Sequence, residues 1–297
     1  MENIIEIKDL SKKYLNNHVL KNININIKRN EIYGLIGKNG AGKTTLMKII
    51  LGLENATKGN FKIIPNENNK SNIEIGAIVD SPAFYPYLSA KNNIEYYRIL
   101  KGIKDKEITS NLLKLVKLDK EGAKKYKHFS LGMKQRLGLA LTLLSKPSLL
   151  LLDEPINGLD PEGIKDFRDI LLELHQKTNT TIIISSHILS ELSQLATQYI
   201  FIDEGRICDV LSDNELKKRC NYILIKTNDI NRIIDILDYD DEINEYKIVN
   251  DEYIKIYCNK DYKQKVIKIL NNNENIEYVK EENITLEEYF LSLINRS

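Results

Sequence analysis

Eight consecutive residues, Gly37-Lys38-Asn39-Gly40-Ala41-Gly42-Lys43-Thr44, satisfy the pattern G-x-x-x-x-G-K-[ST] in full. Glycines at this spacing let backbone amides turn inward around phosphate oxygens, and a helix starting just beyond adds its positive end. Lys43 is then the cation for the β- and γ-phosphates, and the Thr44 hydroxyl is a magnesium ligand. Thr45 adds a contact to the α-phosphate.

A second centre of chemistry follows four leucines, Leu149–Leu152, where Asp153 and Glu154 stand at the end of an apolar run. Asp153 is assigned to holding magnesium through the ion's outer ligands, as in other phosphate-loop ATPases. Glu154 is placed to polarise the attacking water. His187 follows Ile182-Ile183-Ile184-Ser185-Ser186, again at a strand end, and is read as a γ-phosphate contact that detects hydrolysis. Tyr14, ahead of the glycine loop, offers a π-face for adenine.

These groups need elements to hold them. Strands are expected at Ile4–Leu10, Asn22–Ile27, Glu31–Ile36, Ile75–Val79, Leu149–Leu152, Thr181–Ser185 and Tyr199–Asp203. Helices are expected at Lys43–Leu51, Asn92–Lys101, Ile108–Val116, Lys134–Leu144, Lys165–Lys177 and Leu189–Thr197. Short apolar strands alternating with helices predict an α/β domain built on a covered, largely parallel sheet. Residues 83–145 are mostly helical in pattern and read as a lobe inserted into it. After about residue 215 the pattern changes to strand Tyr222–Lys226, helix Asp229–Leu237, strands near Ile243–Val249 and Glu252–Cys258, helix Tyr262–Leu270 and strand Ile276–Val279. That order predicts a small ferredoxin-like accessory domain over 216–297, closed by a helix at Leu286–Ile294.

The 297 residues carry a formal net charge of +1, which gives no support to a nucleic-acid partner. Cys208, Cys220 and Cys258 are odd in number and lack C-x-x-C spacing, so reduced thiols are expected. The N-terminus alternates charged and apolar residues like a strand, unlike a signal peptide. No window of about 18 to 20 residues is both apolar and charge-free, so any membrane part must come from another chain.

Between the two centres lies Phe129-Ser130-Leu131-Gly132-Met133, and after the second comes Asn157-Gly158-Leu159-Asp160. With Tyr14, the 37–45 loop, Asp153-Glu154 and His187 in this order, the chain resembles the ATP-binding subunits of ABC transporters over about residues 1–215. The resemblance implies a head-to-tail homodimer, with each ATP and its Mg2+ between one subunit's phosphate loop and the other's signature. Ser130 and Gly132 would face the γ-phosphate, and Asp160 would lie at the dimer junction. It also implies a separate membrane permease and a place on the inner face of the cell membrane.

Two residues depart from the family pattern. The usual signature is Leu-Ser-Gly-Gly-Gln, so Leu131 and Met133 are unusual while the hydroxyl and second glycine remain. Asp80 stands where most members carry Gln. An acidic residue there looks like the bacitracin and lantibiotic self-protection branch, with a role at the metal and attacking water; a plain loop aspartate is the alternative. Export of an antimicrobial peptide is therefore the expected function. A peptide-sensing complex, or an ATPase acting on ribosomes or DNA, are the competing readings. Phe84, Tyr85 and Tyr87 either line a groove for the permease or pack the helical lobe.

Overall fold

In a computed structural model, residues 2–65, 73–79, 83–238, 245–257 and 276–294 are described. Two compact units result, Met1–Val210 and Leu211–Ser297.

The first unit is organised by a six-stranded sheet. Its strands are β3 (Ile32–Ile36), β5 (Ile75–Ile78), β6 (Leu149–Leu152), β7 (Thr181–Ser185), β8 (Gln198–Asp203) and β9 (Arg206–Ser212), in the order β5-β6-β7-β3-β8-β9. The pairs β5/β6, β6/β7, β7/β3 and β3/β8 are parallel. Every residue of β3, β6 and β7 is buried, which explains their continuous apolar sequences.

Strands β1 (Asn3–Tyr14) and β2 (Asn17–Lys28) do not join that sheet. With β4 (Lys58–Ile63) they form a separate antiparallel sheet of order β2-β1-β4. The expected sheet is only largely parallel, and the strand pattern does not separate these two strands from it. The inward side chains of β1 and β2, including Ile5, Ile7, Leu20 and Ile23, pack in one core with Leu46, Met47 and Ile50 of α1 (Lys43–Ile50).

The helical lobe contains α2 (Ala90–Leu100), α3 (Ile108–Leu115) and α4 (Leu131–Leu143). Ser89 caps α2 by accepting from the Asn92 amide, and Ser130 caps α4 by accepting from Met133. Glu95 on α2 accepts from Arg98 at 2.6 Å and from the Thr109 hydroxyl of α3 at 3.0 Å. The Arg98 guanidinium holds the Glu95 carboxyl down at about 2. Phe84 packs between Tyr97 and Tyr126, whereas Tyr85 and Tyr87 are exposed.

Helix α5 (Pro161–Thr178) starts at a cap supplied by Asp160. Helix α6 spans only Leu189–Leu192, shorter than expected. Residues beyond it unwind into turns because the Thr197 amide must reach Ile32 O, at 2.8 Å, to enter β8.

The second unit holds α7 (Asp213–Cys220), β10 (Asn221–Thr227), α8 (Ile230–Asp238), β11 (Glu245–Asn250), β12 (Tyr253–Tyr257), β13 (Ile276–Asn283) and α9 (Leu286–Ile294). Its four strands pair antiparallel in the order β11-β12-β10-β13. Ile223, Ile225, Ile254 and Ile256 meet Ile233 and Leu237 of α8 in its core. The helix expected at Tyr262–Leu270 lies outside the described residues.

Candidate functional site

The site grows from the C-terminal ends of β3, β6 and β7. Buried β3 feeds the 37–42 loop, and α1 begins at Lys43. Gly37 has no room for a side chain, because a Cβ would lie 2.4 Å from Ile202 O. Gly42 combines a φ of 106° with a Cβ position 2.6 Å from Leu20, so no other residue fits there without strain. The loop is therefore shaped by two steric demands as well as by its ligand chemistry.

Lys43 is only 7% exposed. Its ammonium donates to Gly37 O at 2.8 Å and to Lys38 O at 3.3 Å, and lies 3.8 Å from Glu154 Oε1. The side chain thus folds back over its own loop, held at the place where phosphate oxygens would meet it.

Thr44 and Asp153 come together from α1 and β6: the Thr44 hydroxyl donates to Asp153 Oδ2 at 2.5 Å. Ser185, at the end of β7, donates to Asp153 Oδ1 at 2.6 Å. The same Ser185 oxygen accepts from the Glu154 amide at 2.9 Å. His187 reaches Glu154 Oε2 through its amide at 3.2 Å and through Nδ1 at 2.8 Å. Glu154 itself sits at φ 48°, in the left-handed region that non-glycine residues seldom occupy. That conformation turns its carboxylate to face both His187 and Lys43.

One atom in this cluster lacks a hydrogen bond. Glu154 Oε1 is buried and has no such partner among the described residues. A buried carboxylate oxygen without a donor is costly, and one beside a phosphate loop is suited to accept a proton from water. The paired oxygens of Thr44 and Asp153 are hard donors of the kind magnesium prefers. These residues fit a magnesium nucleotide.

Of the other expected site residues, Tyr14 ends β1 with 41% exposure. Its hydroxyl bonds the Glu54 carboxylate, and the Lys12 ammonium lies 4.7 Å from its ring centre. Ser130 and Gly132 occupy the start of α4, and Asp160 accepts from the Gly163 amide at 3.0 Å. The turn before Asp160 lies against the signature: a Cβ on Gly158 would come 3.2 Å from Leu131. Among the described residues, no hydrogen bond joins Ser130 or Gly132 to the phosphate loop, Asp153 or Glu154. Asp80 lies outside the described residues.

The sequence reading gave Ser185 no role, although it bonds both Asp153 and Glu154. Its only signal is a pair of serines, Ser185 and Ser186, directly after the buried run Ile182-Ile183-Ile184.

A phosphate loop after a parallel strand, with two carboxylates at the end of another strand of the same sheet, defines a P-loop nucleoside triphosphatase. Comparison with known proteins narrows this class. The ABC transporter family model matches residues 20–157. The chain is 39% identical over 301 aligned residues to the bacitracin transport ATP-binding protein BcrA of Bacillus licheniformis, covering 99% of this chain and 98% of that protein. It is 43% identical to the lantibiotic transport ATP-binding protein SrtF of Streptococcus pyogenes, over 69% of this chain and 89% of that one. Among solved structures, cbiO1 from Clostridium perfringens, part of the ABC transporter complex cbiONQ, superposes with a TM-score of 0.64 at 26% identity, covering 73% of this chain and 91% of that one. The chain belongs to the ABC transporter family, as an ATP-binding and ATP-hydrolysing subunit. Among the described residues no helix is long and apolar enough to cross a membrane.

Proposed function

We propose that this subunit powers the export of antimicrobial peptides of the bacitracin or lantibiotic kind through a permease encoded on a separate chain. The full-length likeness to bacitracin transport ATP-binding proteins carries this reading. The subunit works as a homodimer at the inner face of the cell membrane, because each copy supplies one phosphate loop and one signature.

Within each site the residues divide the work. Amides of Lys38, Asn39, Gly40 and Ala41, with Gly37 and Gly42 shaping the loop, bind the phosphates of ATP, and Lys43 leaves its carbonyl partners for them. Thr44 would ligate magnesium and Asp153 would hold it through the ion's outer ligands, with Asp80 as a candidate direct ligand; the ion would supply charge that offsets the phosphate oxygens in the transition state. Glu154 accepts the proton of the attacking water through Oε1, while His187 orients its carboxylate and contacts the γ-phosphate. Thr45 binds the α-phosphate and Tyr14 stacks on adenine. Ser130 and Gly132 complete the other copy's site, using the positive end of α4, and Asp160 stands at the junction.

ATP then drives closure only through the difference in its affinity for the closed and open dimers. Hydrolysis removes that difference and permits reopening. For the second unit we propose a ferredoxin-like accessory domain, supported by the all-antiparallel order β11-β12-β10-β13 with α8 following β10.

Cells lacking this subunit are expected to become sensitive to bacitracin or a lantibiotic. Restoring the wild-type gene returns resistance and restoring Glu154→Gln does not. Unchanged sensitivity across a panel of such peptides, with the permease present, would remove the cargo assignment. Asp80→Gln tests the acidic loop: unchanged hydrolysis and resistance would reduce Asp80 to a bystander.

A further inference from the structure

We infer that the antiparallel sheet carries a second anion site, apart from the nucleotide pocket, that takes a small, multiply charged phosphate compound. A basin of about 640 Å3 is lined by Lys13, Lys21, Lys58, Arg206, Ser11 and Thr57, with His18 and Asn22 completing it, and none of its lining residues is acidic. Among the described residues, no carboxylate pairs with any of its four cations. A concave surface of one sign, without counter-charge, focuses its field on mobile anions.

The contrast with Lys12, their neighbour, is direct. Lys12 has Glu54 at 3.4 Å and donates to Asn55 O at 2.8 Å. It lies over the Tyr14 ring, toward the expected adenine position. Ser11 and Lys13 instead line the basin.

The hydroxyls point to the same class of ligand. Ser11 Oγ accepts from the Asn22 amide at 2.9 Å, and Thr57 Oγ1 accepts from the Lys13 amide at 3.0 Å. Each acceptor role is filled by backbone, which leaves each O–H free to donate. The side chains around the basin end in ammonium, guanidinium and hydroxyl donors, while the surface inside it is mostly their aliphatic stems. Phosphate oxygens, which only accept, match that set, and an Arg fork favours them further.

The basin is wired to the phosphate loop. The Lys21 amide donates to Gly205 O at 2.7 Å, and the Gly205 amide donates to Ala41 O at 3.1 Å. Arg206 is the next residue. Lys21 and Arg206 therefore flank the two segments that buttress Ala41.

The test uses the full chain carrying Lys43→Ala, to disable the phosphate loop, with inorganic tripolyphosphate titrated by calorimetry at about 0.15 M salt. Tripolyphosphate should still bind this chain. Adding Lys58→Glu with Arg206→Glu should weaken it by about tenfold or more, given the loss and reversal of two facing charges. The milder pair Lys13→Gln with Lys21→Gln should weaken it in the same direction, which covers a charge-reversed chain that folds poorly. No binding to the Lys43→Ala chain, or binding indifferent to both pairs, would overturn the site. Failure of the nucleotide assignment reads out separately, as ATP affinity surviving Lys43→Ala in a chain that also carries Lys58→Glu and Arg206→Glu. Sedimentation with phosphatidylglycerol vesicles, competed by tripolyphosphate and absent with phosphatidylcholine, identifies a lipid headgroup as the source. Tripolyphosphate binding without sedimentation identifies a soluble phosphate compound.

Discussion

The phosphate loop and the signature segment are both helix N-termini in one compact unit, yet they are finished to different degrees. Around the loop, Lys43, Thr44, Asp153, Glu154, Ser185 and His187 form a continuous set of contacts from three strand ends. Ser130, by contrast, spends its oxygen on capping its own helix, through the Met133 amide at 3.3 Å. Among the described residues, nothing of the loop cluster reaches it. One half of the proposed site is therefore pre-assembled within the chain, and the other is exposed, where the proposed second copy would meet it.

That contrast can be broken by substitution. The largest effect is expected for Glu154→Gln, which keeps shape but removes the base: turnover should fall about 10²- to 10⁴-fold while nucleotide binding persists. A chain hydrolysing at the wild-type rate in a steady-state phosphate-release assay would contradict the role of Oε1. Next, Lys43→Ala should weaken ATP binding by about 2–4 kcal/mol, or roughly 30- to 1000-fold, in equilibrium titration. Retained affinity would mean that the loop does not grip phosphate as assigned.

The signature half requires a pair of variants, because Ser130 also caps α4. Ser130→Ala should slow turnover about tenfold, the worth of one charge-assisted hydrogen bond, and lower stability by about 1 kcal/mol through the lost cap. Ser130→Asp keeps a capping oxygen but sets negative charge against phosphate. It should melt like wild type and yet hydrolyse more slowly than the alanine variant. Equal turnover in wild type and both variants would leave Ser130 a cap alone.

The smallest effect concerns the lobe that carries the signature. Glu95 titrates at about 2 in the folded chain, below its ordinary 4.5, with the Arg98 bond as first cause. Its stabilising contribution is therefore complete above the ordinary value and fades as pH falls toward 2. The melting difference between wild type and Glu95→Gln should shrink from about pH 5 to about pH 2. A constant difference would separate lobe stability from this ion pair.

How legible the molecule was depended on where each signal resides. The loop, Asp153-Glu154 and the buried strands declare themselves in contiguous residues, so their places followed from sequence. Helix starts did not: Gly132 and Pro161 look like breakers, but in a helix's first turn both are tolerated, so α4 and α5 begin earlier than their polar-apolar periodicity suggested. Strand β4 went unseen because only Phe61 and Ile63 of its six residues are even partly buried apolar groups. Ser185 was missed for a different reason. Its role arises from three strand ends meeting in space, which no local pattern records.

The shared-pocket account is tested most directly by the solution mass of the Glu154→Gln chain, measured by light scattering with and without ATP. A mass that doubles on ATP addition, and no longer doubles when Ser130→Asp is added, is the predicted result. A chain that binds ATP to saturation and remains single would contradict it.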